Sequence, residues 1–266
     1  YFLMGEEPYY IDRISDYIQE TVLTEEERGF NQMTLYGRDV SIEDIVSNAK
    51  RFPMMAERQV VIIKEAQELS RTIDKLSKYA ENPQPSTVLV INYKYKKVDK
   101  RKALYKTIKK SGVVFESKKL YENQVADWIR RVLSPKQYSI TPKSAQMLVE
   151  FLGTDLSRIN NELEKLQSII PKGTQITPEL IERNIGISKD YNVFELHKAL
   201  GQRNILKVQR ITNYFIANPK SHALPQIISS LFGFFSKIYI AHFHSKANDQ
   251  ELAQKIGLRS AYFVRD

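Results

Sequence analysis

The stretch Arg51–Ala66, RFPMMAERQVVIIKEA, decides the fold. Its run Val60–Ile63 consists of four β-branched residues, and such a short unbroken apolar run is typical of a strand buried on both faces of a parallel sheet. In nucleotide-hydrolysing α/β domains a strand of this kind ends in acidic residues that hold Mg²⁺, whereas here it ends in Lys64 and Glu65. The Met54–Met55 pair lies in a polar setting just before the strand. We infer a central strand that lacks catalytic residues and stands beside an apolar pair that could grip a partner.

The first 120 residues alternate strands and helices around this central strand. Further strands are predicted at Tyr1–Gly5, Phe30–Tyr36, Thr87–Asn92 and Val113–Glu116. Helices are predicted from Pro8, from Ser41, over Gln67–Ala80 and over Lys102–Lys110. Because alternation of this kind is typical of a parallel sheet covered by helices, we predict an α/β domain over residues 1–120.

From Tyr121 onward the pattern predicts helices only. We expect a small helical domain over residues 121–186 and a third, helical domain over residues 187–266, incomplete at its C-terminus. Aromatic residues of the third domain are expected in the core of a helix bundle; they are Phe232, Phe234, Phe235 and Tyr239. The uncharged run Ala223–Ser236 is interpreted as too short and too polar to span a bilayer, which needs about 20 apolar residues.

Composition excludes several classes of site. The chain has no cysteine, so disulfides, thiolate zinc sites and cysteine nucleophiles are excluded. The net charge is +9, although residues 1–50 alone carry eleven acidic and four basic residues. This asymmetry suggests that the remainder faces an acidic partner such as DNA, and a solvated basic surface is the alternative. No signal peptide is recognised. Because the sequence starts without Met, directly in a predicted strand, and ends inside a predicted helix, it is expected to be a fragment of a longer protein.

The turn after the first strand lies where a P-loop would be. A P-loop needs several glycines, a lysine for the phosphates and a Ser or Thr for Mg²⁺. The turn Gly5–Pro8 has one glycine and two glutamates, and no lysine precedes Lys50. We therefore do not expect ATP to bind at this turn.

The densest positive charge begins at Lys94 and runs through the following predicted helix. Since it follows a strand end, it should lie at the carboxyl edge of the sheet, where cations could contact nucleic acid backbone without reading sequence. A solvated helix face is the alternative. The candidate DNA contacts are Lys96, Lys97, Lys100, Arg101, Lys102, Lys106, Lys109 and Lys110.

No catalytic or metal site is predicted. His242 and His244 are not spaced for one helix face and have no neighbouring carboxylates to complete a coordination shell. For Met54 and Met55 the ordinary interpretation is core packing. However, two adjacent side chains cannot both point inward, so one is expected to be exposed and available as an anchor for a partner's groove.

Taken together, several segments resemble the delta subunits of the bacterial DNA polymerase III clamp loader. The resemblance extends over essentially the whole chain. It is carried by Leu3–Tyr9 (LMGEEPY), Pro53–Gln59 (PMMAERQ), Asp99–Lys110 (DKRKALYKTIKK), Trp128–Ile129, Gly153–Leu156 (GTDL) and Glu162–Leu166 (ELEKL).

The resemblance implies an AAA+-like, P-loop-type parallel α/β domain without a functional P-loop, followed by a small helical lid and a truncated helical collar. It implies no catalytic site, cofactor or metal of the chain's own, within a DNA-directed DNA polymerase holoenzyme. The implied partners are the sliding clamp (beta), the other clamp-loader subunits (delta-prime, gamma/tau) and primed DNA, with no membrane. The implied location is the bacterial cytoplasm, in association with the nucleoid.

The resemblance also implies a clamp-binding site and a mechanical function. In this family an apolar pair at the tip of the first domain enters the clamp's groove and opens the ring. Here that pair falls on Met54 and Met55, with Phe52 and Pro53 beside them. Two alternatives stay open: a basic nucleic-acid-binding protein of AAA+-like fold, and an active AAA+ ATPase, which the missing lysine disfavours.

Overall fold

The computed structural model describes residues 1–188, 190–220, 222–244, 247–258 and 264. The chain divides into two compact units, Tyr1–Lys119 and Leu120–Asp266. The first unit corresponds to the predicted α/β domain. The division of the second unit into a lid and a collar at residues 186 and 187 stays a prediction.

A five-stranded parallel sheet forms the first unit, in the order β2-β3-β4-β1-β5. The strands are β1 (Phe2–Gly5), β2 (Gln32–Tyr36), β3 (Gln59–Lys64), β4 (Thr87–Lys94) and β5 (Val114–Ser117). The parallel sheet and the burial of Val60–Ile63 on both faces are confirmed. The middle strand, however, is β4, and β3 lies between β2 and β4.

Helices cover both faces of this sheet. They are α1 (Pro8–Thr21), α2 (Glu25–Asn31), α3 (Ile42–Ala49), α4 (Ser77–Glu81) and α5 (Ala103–Ser111). Alternate residues of β3 enter two apolar clusters: Val61 and Ile63 pack towards α3 and α5, whereas Val60 and Ile62 pack towards α1. A rigid scaffold of this kind positions the loops at both edges of the sheet.

Two predictions for this unit are wrong in detail. Phe30 and Asn31 do not begin β2 but end α2, which starts with a capping box between Thr24 and Glu27. The predicted helix over Gln67–Ala80 is instead two 3₁₀ turns, Ala66–Leu69 and Ile73–Leu76, followed by the short helix α4.

The second unit is mainly helical. Its helices are α6 (Glu122–Leu133), α7 (Pro142–Leu152), α8 (Leu156–Ile169), α9 (Pro178–Ile185), α10 (Val193–Gly201), α11 (Ile205–Ala217), α12 (Leu224–Phe243) and α13 (Asp249–Lys255). The predicted caps Thr141 and Asp155 each accept a backbone N–H from the first turn that follows. The prediction of helices only is wrong at one place, where the two-residue strands β6 (Ser139–Ile140) and β7 (Gln175–Ile176) pair in parallel.

Helix α12 differs from its predicted role as a core helix. Among its aromatic residues, Phe232, Phe235 and Tyr239 are exposed, so the prediction that they form a bundle core is wrong for these three. The helix continues past Lys237 to 20 residues and is long and apolar enough to cross a membrane by length and composition, which the shorter run Ala223–Ser236 did not indicate. It presents an extended apolar face to its surroundings.

Candidate functional site

The loop between α3 and β3 carries the predicted clamp-binding residues. It leads into the start of a parallel strand and therefore lies at the amino edge of the sheet. The side chains of Phe52, Met54 and Met55 are 79%, 61% and 102% exposed, and Pro53 is partly exposed. The structure thus brings three large apolar side chains together on one surface loop.

Buried polar groups fix the base of this loop. The side chain of Gln59 is buried, and its Nε2 donates to the carbonyl oxygen of Arg51 at 2.5 Å and to Thr87 Oγ1 at 2.8 Å. Thr87 Oγ1 in turn donates to the carbonyl oxygen of Ala49 at 2.8 Å. Since these groups are bonded to one another across β3 and β4, the two ends of the loop are held against the sheet.

A second contact reaches the methionine pair itself. The backbone N–H of Met54 donates to Asn31 Oδ1 at 2.6 Å, and Asn31 Nδ2 donates to the carbonyl oxygen of Met54 at 2.9 Å. Met55 follows with a φ of 53°, a left-handed conformation that is uncommon for residues other than glycine. The backbone at the pair is therefore held in one defined conformation.

Sequence reasoning missed Asn31, which contacts this loop, and misassigned its neighbour in sequence, Phe30. Asn31, whose amide holds Met54, and Phe30, which is 77% exposed, were both assigned to the strand β2. The available signal was the capping box of Thr24 and Glu27, which predicts a helix ending near Asn31. No sequence pattern indicates the contact between Asn31 and Met54.

The basic segment leaves the opposite, carboxyl edge of the sheet after β4, as predicted. Four of its candidate DNA contacts are already ion-paired within the segment or with its neighbours. Lys97 lies 3.1 Å from Glu6 and 3.4 Å from Glu116, and Lys100 lies 2.7 Å from Glu116. Arg101 pairs with Asp99, and Lys102 pairs with Asp74.

These ion pairs perturb the groups that form them. Hydrogen bonds from Arg101 lower the pKa of the Asp99 carboxyl to about 2. Hydrogen bonds to Glu6 and Glu116 raise the pKa of Lys97. Because carboxylates neutralise these cations locally, they offer less positive potential to a phosphate than their number suggests.

The remaining candidates in the segment are exposed and unpaired. Lys96, Lys106, Lys109 and Lys110 have no ion pair with any residue that the structure describes. Three of them lie on α5 at spacings of three and four residues, which places them on adjacent positions of one helix surface. The structure thus divides the predicted DNA contacts into a paired and an unpaired group.

The turn after β1 is filled by the protein's own groups. Glu7 is buried at the N-cap of α1, and its carboxylate accepts the backbone N–H of Tyr9 at 3.1 Å. Gly5 has a φ of 135°, and a Cβ there would fall 1.9 Å from the carbonyl oxygen of Ser117. A carboxylate at the helix N-terminus occupies the place where a P-loop holds phosphate, and it would repel a polyanion.

A buried cation lies close to this turn. Lys94 is 9% exposed, and its Nζ lies 2.8 Å from Asp12 and 3.1 Å from Glu65. Burial opposes the charge on Lys94, but hydrogen bonds and attraction from both carboxylates outweigh it and raise the pKa of the ammonium group. Glu65, the acidic residue after β3, therefore belongs to an ion-pair cluster at the carboxyl edge of the sheet. The cluster links α1, β4 and the segment that follows β3.

In the second unit, a buried carboxylate on α10 joins lysines of α7 and α11. Glu195 is buried and pairs with Lys143 at 2.6 Å and with Lys207 at 2.5 Å. Burial alone would raise the pKa of Glu195, but these two lysines lower it. The junction is held by a carboxylate that is satisfied on both oxygens.

A cavity of about 750 Å³ lies beside this junction and is lined by residues of α7, α10 and α12. Its wall includes Glu150, whose pKa is raised to about 7 by burial, although it accepts the backbone N–H of Phe194 at 3.1 Å. Burial, reinforced by Lys237, also lowers the pKa of His197 to about 4, and that ring stacks on Phe234 at a centroid distance of 4.5 Å. Within the described part of the chain, no group of three or more metal-ligating side chains is found.

Comparison with known proteins finds similarity to delta subunits of DNA polymerase III. Residues 1–118 match the family model described as DNA polymerase III, delta subunit. DNA polymerase III subunit delta of Bacillus subtilis is 27% identical over 242 residues, which make up 87% of this chain and 70% of that protein. The solved structure of the Bacillus subtilis DNA clamp loader delta protein (YqeN) is 25% identical, with a TM-score of 0.62, covering 97% of this chain and 79% of that one.

Proposed function

The chain is homologous to DNA polymerase III delta subunits, and on that premise we propose that it acts as a clamp-loader subunit in DNA replication. Its function would be to bind the sliding clamp (beta) and hold the ring open for loading onto primed DNA. One observation carries this proposal. Within the part of the chain that matches the family, the Met54–Met55 pair is exposed on a loop whose base is fixed by buried hydrogen bonds.

The clamp-binding surface consists of Phe52, Pro53, Met54 and Met55. Exposed apolar side chains on a rigid loop suit a partner's groove, because little conformational entropy is lost when they bind. Burying each methionine could contribute roughly 1.5–3 kcal/mol. Truncating an anchor of this kind commonly costs about 2 kcal/mol or more, so the pair would dominate the interface.

Binding energy would drive the opening of the ring. A subunit can favour the open clamp only to the extent that it binds the open form better than the closed form. The chain would therefore act mechanically, with no catalytic site, cofactor or metal of its own, inside a DNA-directed DNA polymerase holoenzyme. The Glu7 cap at the start of α1 and the absence of a P-loop lysine support a subunit that does not hydrolyse ATP.

The other clamp-loader subunits (delta-prime, gamma/tau) are the proposed partners of α12. Exposed apolar residues run along the helix: Leu224, Ile228, Phe232, Phe235, Ile238, Tyr239, Ile240 and Phe243. Lys237 and His242 interrupt this surface, as do several other polar residues, which suits a subunit interface better than a lipid environment. A cytoplasmic, nucleoid-associated location would follow from assembly with these partners.

Primed DNA would be contacted within the assembled loader. The unpaired cations Lys96, Lys106, Lys109 and Lys110 are the better candidates, and the ion-paired group Lys97, Lys100, Arg101 and Lys102 would contribute less. If the isolated chain bound DNA with a steep salt dependence but did not bind a clamp, the alternative of a general nucleic-acid-binding protein would be favoured.

Ring opening provides the test of this function. Fluorophores placed on both sides of one clamp interface should move apart when the chain is added, without any nucleotide. The Met54→Ala/Met55→Ala variant, shown to be folded, should leave the fluorophores together. Separation that requires ATP would contradict the proposed mechanism, and the absence of separation with the unmodified chain would contradict the function.

A further inference from the structure

We propose that Asn31 is a positioning residue that sets the conformation of the methionine pair before the clamp binds. This inference rests on the clamp-binding function proposed above and deepens it. Asn31 lies at the end of α2, 23 positions before Met54, and the clamp-binding surface does not include its side chain. We infer this role from the hydrogen bonds that its amide makes with the backbone of Met54.

The amide of Asn31 is buried, and most of its hydrogen-bonding capacity is satisfied. Its side chain is 5% exposed, and Oδ1 accepts the Met54 N–H while Nδ2 donates to the Met54 carbonyl oxygen. Nδ2 also donates to the carbonyl oxygen of Glu27 at 3.2 Å, which fixes the orientation of the amide plane. A single side chain thus satisfies both backbone groups of Met54, much as a neighbouring strand would.

The fixed backbone at Met54 explains how Met55 can project fully into solvent. Met55 has a φ of 53°, in a region that is sparsely populated for a residue with a side chain. Such a conformation persists only where the surroundings hold it. Asn31 holds the backbone of Met54, and the side chain of Gln59 ties Arg51 to the start of β3. Presetting this conformation raises affinity because the loop does not need to be ordered on binding.

Replacement of the amide tests this role. We expect Asn31→Ala to weaken clamp binding by about tenfold, since two hydrogen bonds that preset the loop are lost while every apolar contact residue remains. Asn48→Ala is the matched control, because among the described residues its side-chain amide donates to the carbonyl oxygen of Asp44 on its own helix and to no residue of the loop. The control should bind the clamp as the unmodified chain does.

A conservative variant separates positioning from a general structural role. Asn31→Asp keeps the acceptor for the Met54 N–H, but its ionised carboxylate would face the carbonyl oxygens of Met54 and Glu27. Once protonated, the acid can donate to Met54 again. Clamp affinity of Asn31→Asp should therefore recover as the pH falls from about 8 towards about 5.5, relative to the unmodified chain and Asn31→Ala.

Hydrogen exchange at Met54 gives a measurement that needs no clamp. The chain contains five methionines, so ¹⁵N-methionine labelling gives a spectrum simple enough to assign. The Met54 amide should be protected in the unmodified chain and in Asn48→Ala, and should lose protection in Asn31→Ala.

The outcomes distinguish this inference from the proposed function. If the unmodified chain does not bind the clamp, both fail. If it binds and Asn31→Ala binds equally well, only the role of Asn31 is overturned. Weaker binding by Asn31→Ala with unchanged Met54 protection, or an Asn31→Asp affinity that follows the pH profile of the unmodified chain, would also overturn it.

Discussion

Glu150 illustrates how a single partly buried group makes stability depend on pH. Its pKa is raised to about 7 because burial disfavours the ionised carboxylate. The protonated acid therefore stabilises the fold below the ordinary pKa of 4.5, and this stabilisation is lost as the pH rises through about 7. His197 acts in the opposite direction: its lowered pKa stabilises the fold above pH 6.5, and that stabilisation is lost as the pH falls through about 4.

Comparison of the unmodified chain with Glu150→Gln isolates the contribution of Glu150. As the pH rises from about 4.5 to about 7.5, the unmodified chain should lose stability that the variant keeps, since glutamine stays neutral throughout. The free energy of unfolding of the variant should therefore rise by on the order of 2 kcal/mol relative to that of the unmodified chain. Trp128 is buried in α6 and is the chain's single tryptophan, so its fluorescence during urea unfolding reports on the second unit. Glu251→Gln, at an exposed position on α13, is the control. If the free energies of unfolding of all three proteins changed with pH in parallel, Glu150 would not be the source of this pH dependence.

At the residue scale, the sequence predicted exposed apolar anchors but not the groups that hold them. The adjacent methionines were predicted to have one exposed member, and both are exposed. The contact of Asn31 with Met54 and that of Gln59 with Arg51 depend on tertiary structure, which brings separate segments together at the edge of the sheet. Neither contact leaves a periodic or compositional signal in the sequence.

At the element scale, α5 is expected to carry most of the DNA contact in the first unit. Replacing its unpaired lysines in Lys106→Gln/Lys109→Gln/Lys110→Gln should lower the salt dependence of primed-DNA binding by the assembled loader. Each lost phosphate contact lowers the slope of log affinity against log salt by about 0.9 for duplex DNA.

The paired cations provide the matched control for α5. Lys97→Gln/Lys100→Gln/Lys102→Gln removes the same formal charge, but each of these lysines faces a carboxylate. We expect a smaller change in slope than for the α5 variant. Equal slopes for the two triple variants would show that the ion pairs open when DNA binds, contrary to this interpretation.

The sequence predicted elements well where periodicity and caps agree. The strands β1, β3, β4 and β5 and the caps at Ser41, Thr141 and Asp155 lie close to their predicted positions. The segment after β3 forms 3₁₀ turns instead of a helix, and its apolar residues pack into the core against the sheet. For α12, aromatic content predicted burial, but Phe232, Phe235 and Tyr239 are exposed in the single chain.

At the scale of the whole molecule, the first unit separates two surfaces. The loop with the methionine pair lies at the amino edge of the sheet, and the basic segment leaves the carboxyl edge after β4. With a strand rise of about 3.3 Å per residue, the two edges are roughly 20 Å apart. Under the proposed function, the methionine pair would hold the clamp at one edge, and the cations would face nucleic acid at the other.

Met54 and Met55 are the proposed anchors for the sliding clamp. The most direct measurement is calorimetric titration of the clamp from the same organism with this chain and with Met54→Ala/Met55→Ala, both shown to be folded. We expect micromolar or tighter binding by the unmodified chain, and affinity weakened well over tenfold in the variant, because both apolar anchors are removed. Equal affinities would place the contact elsewhere on the chain, and no binding by either protein would contradict the clamp-binding function.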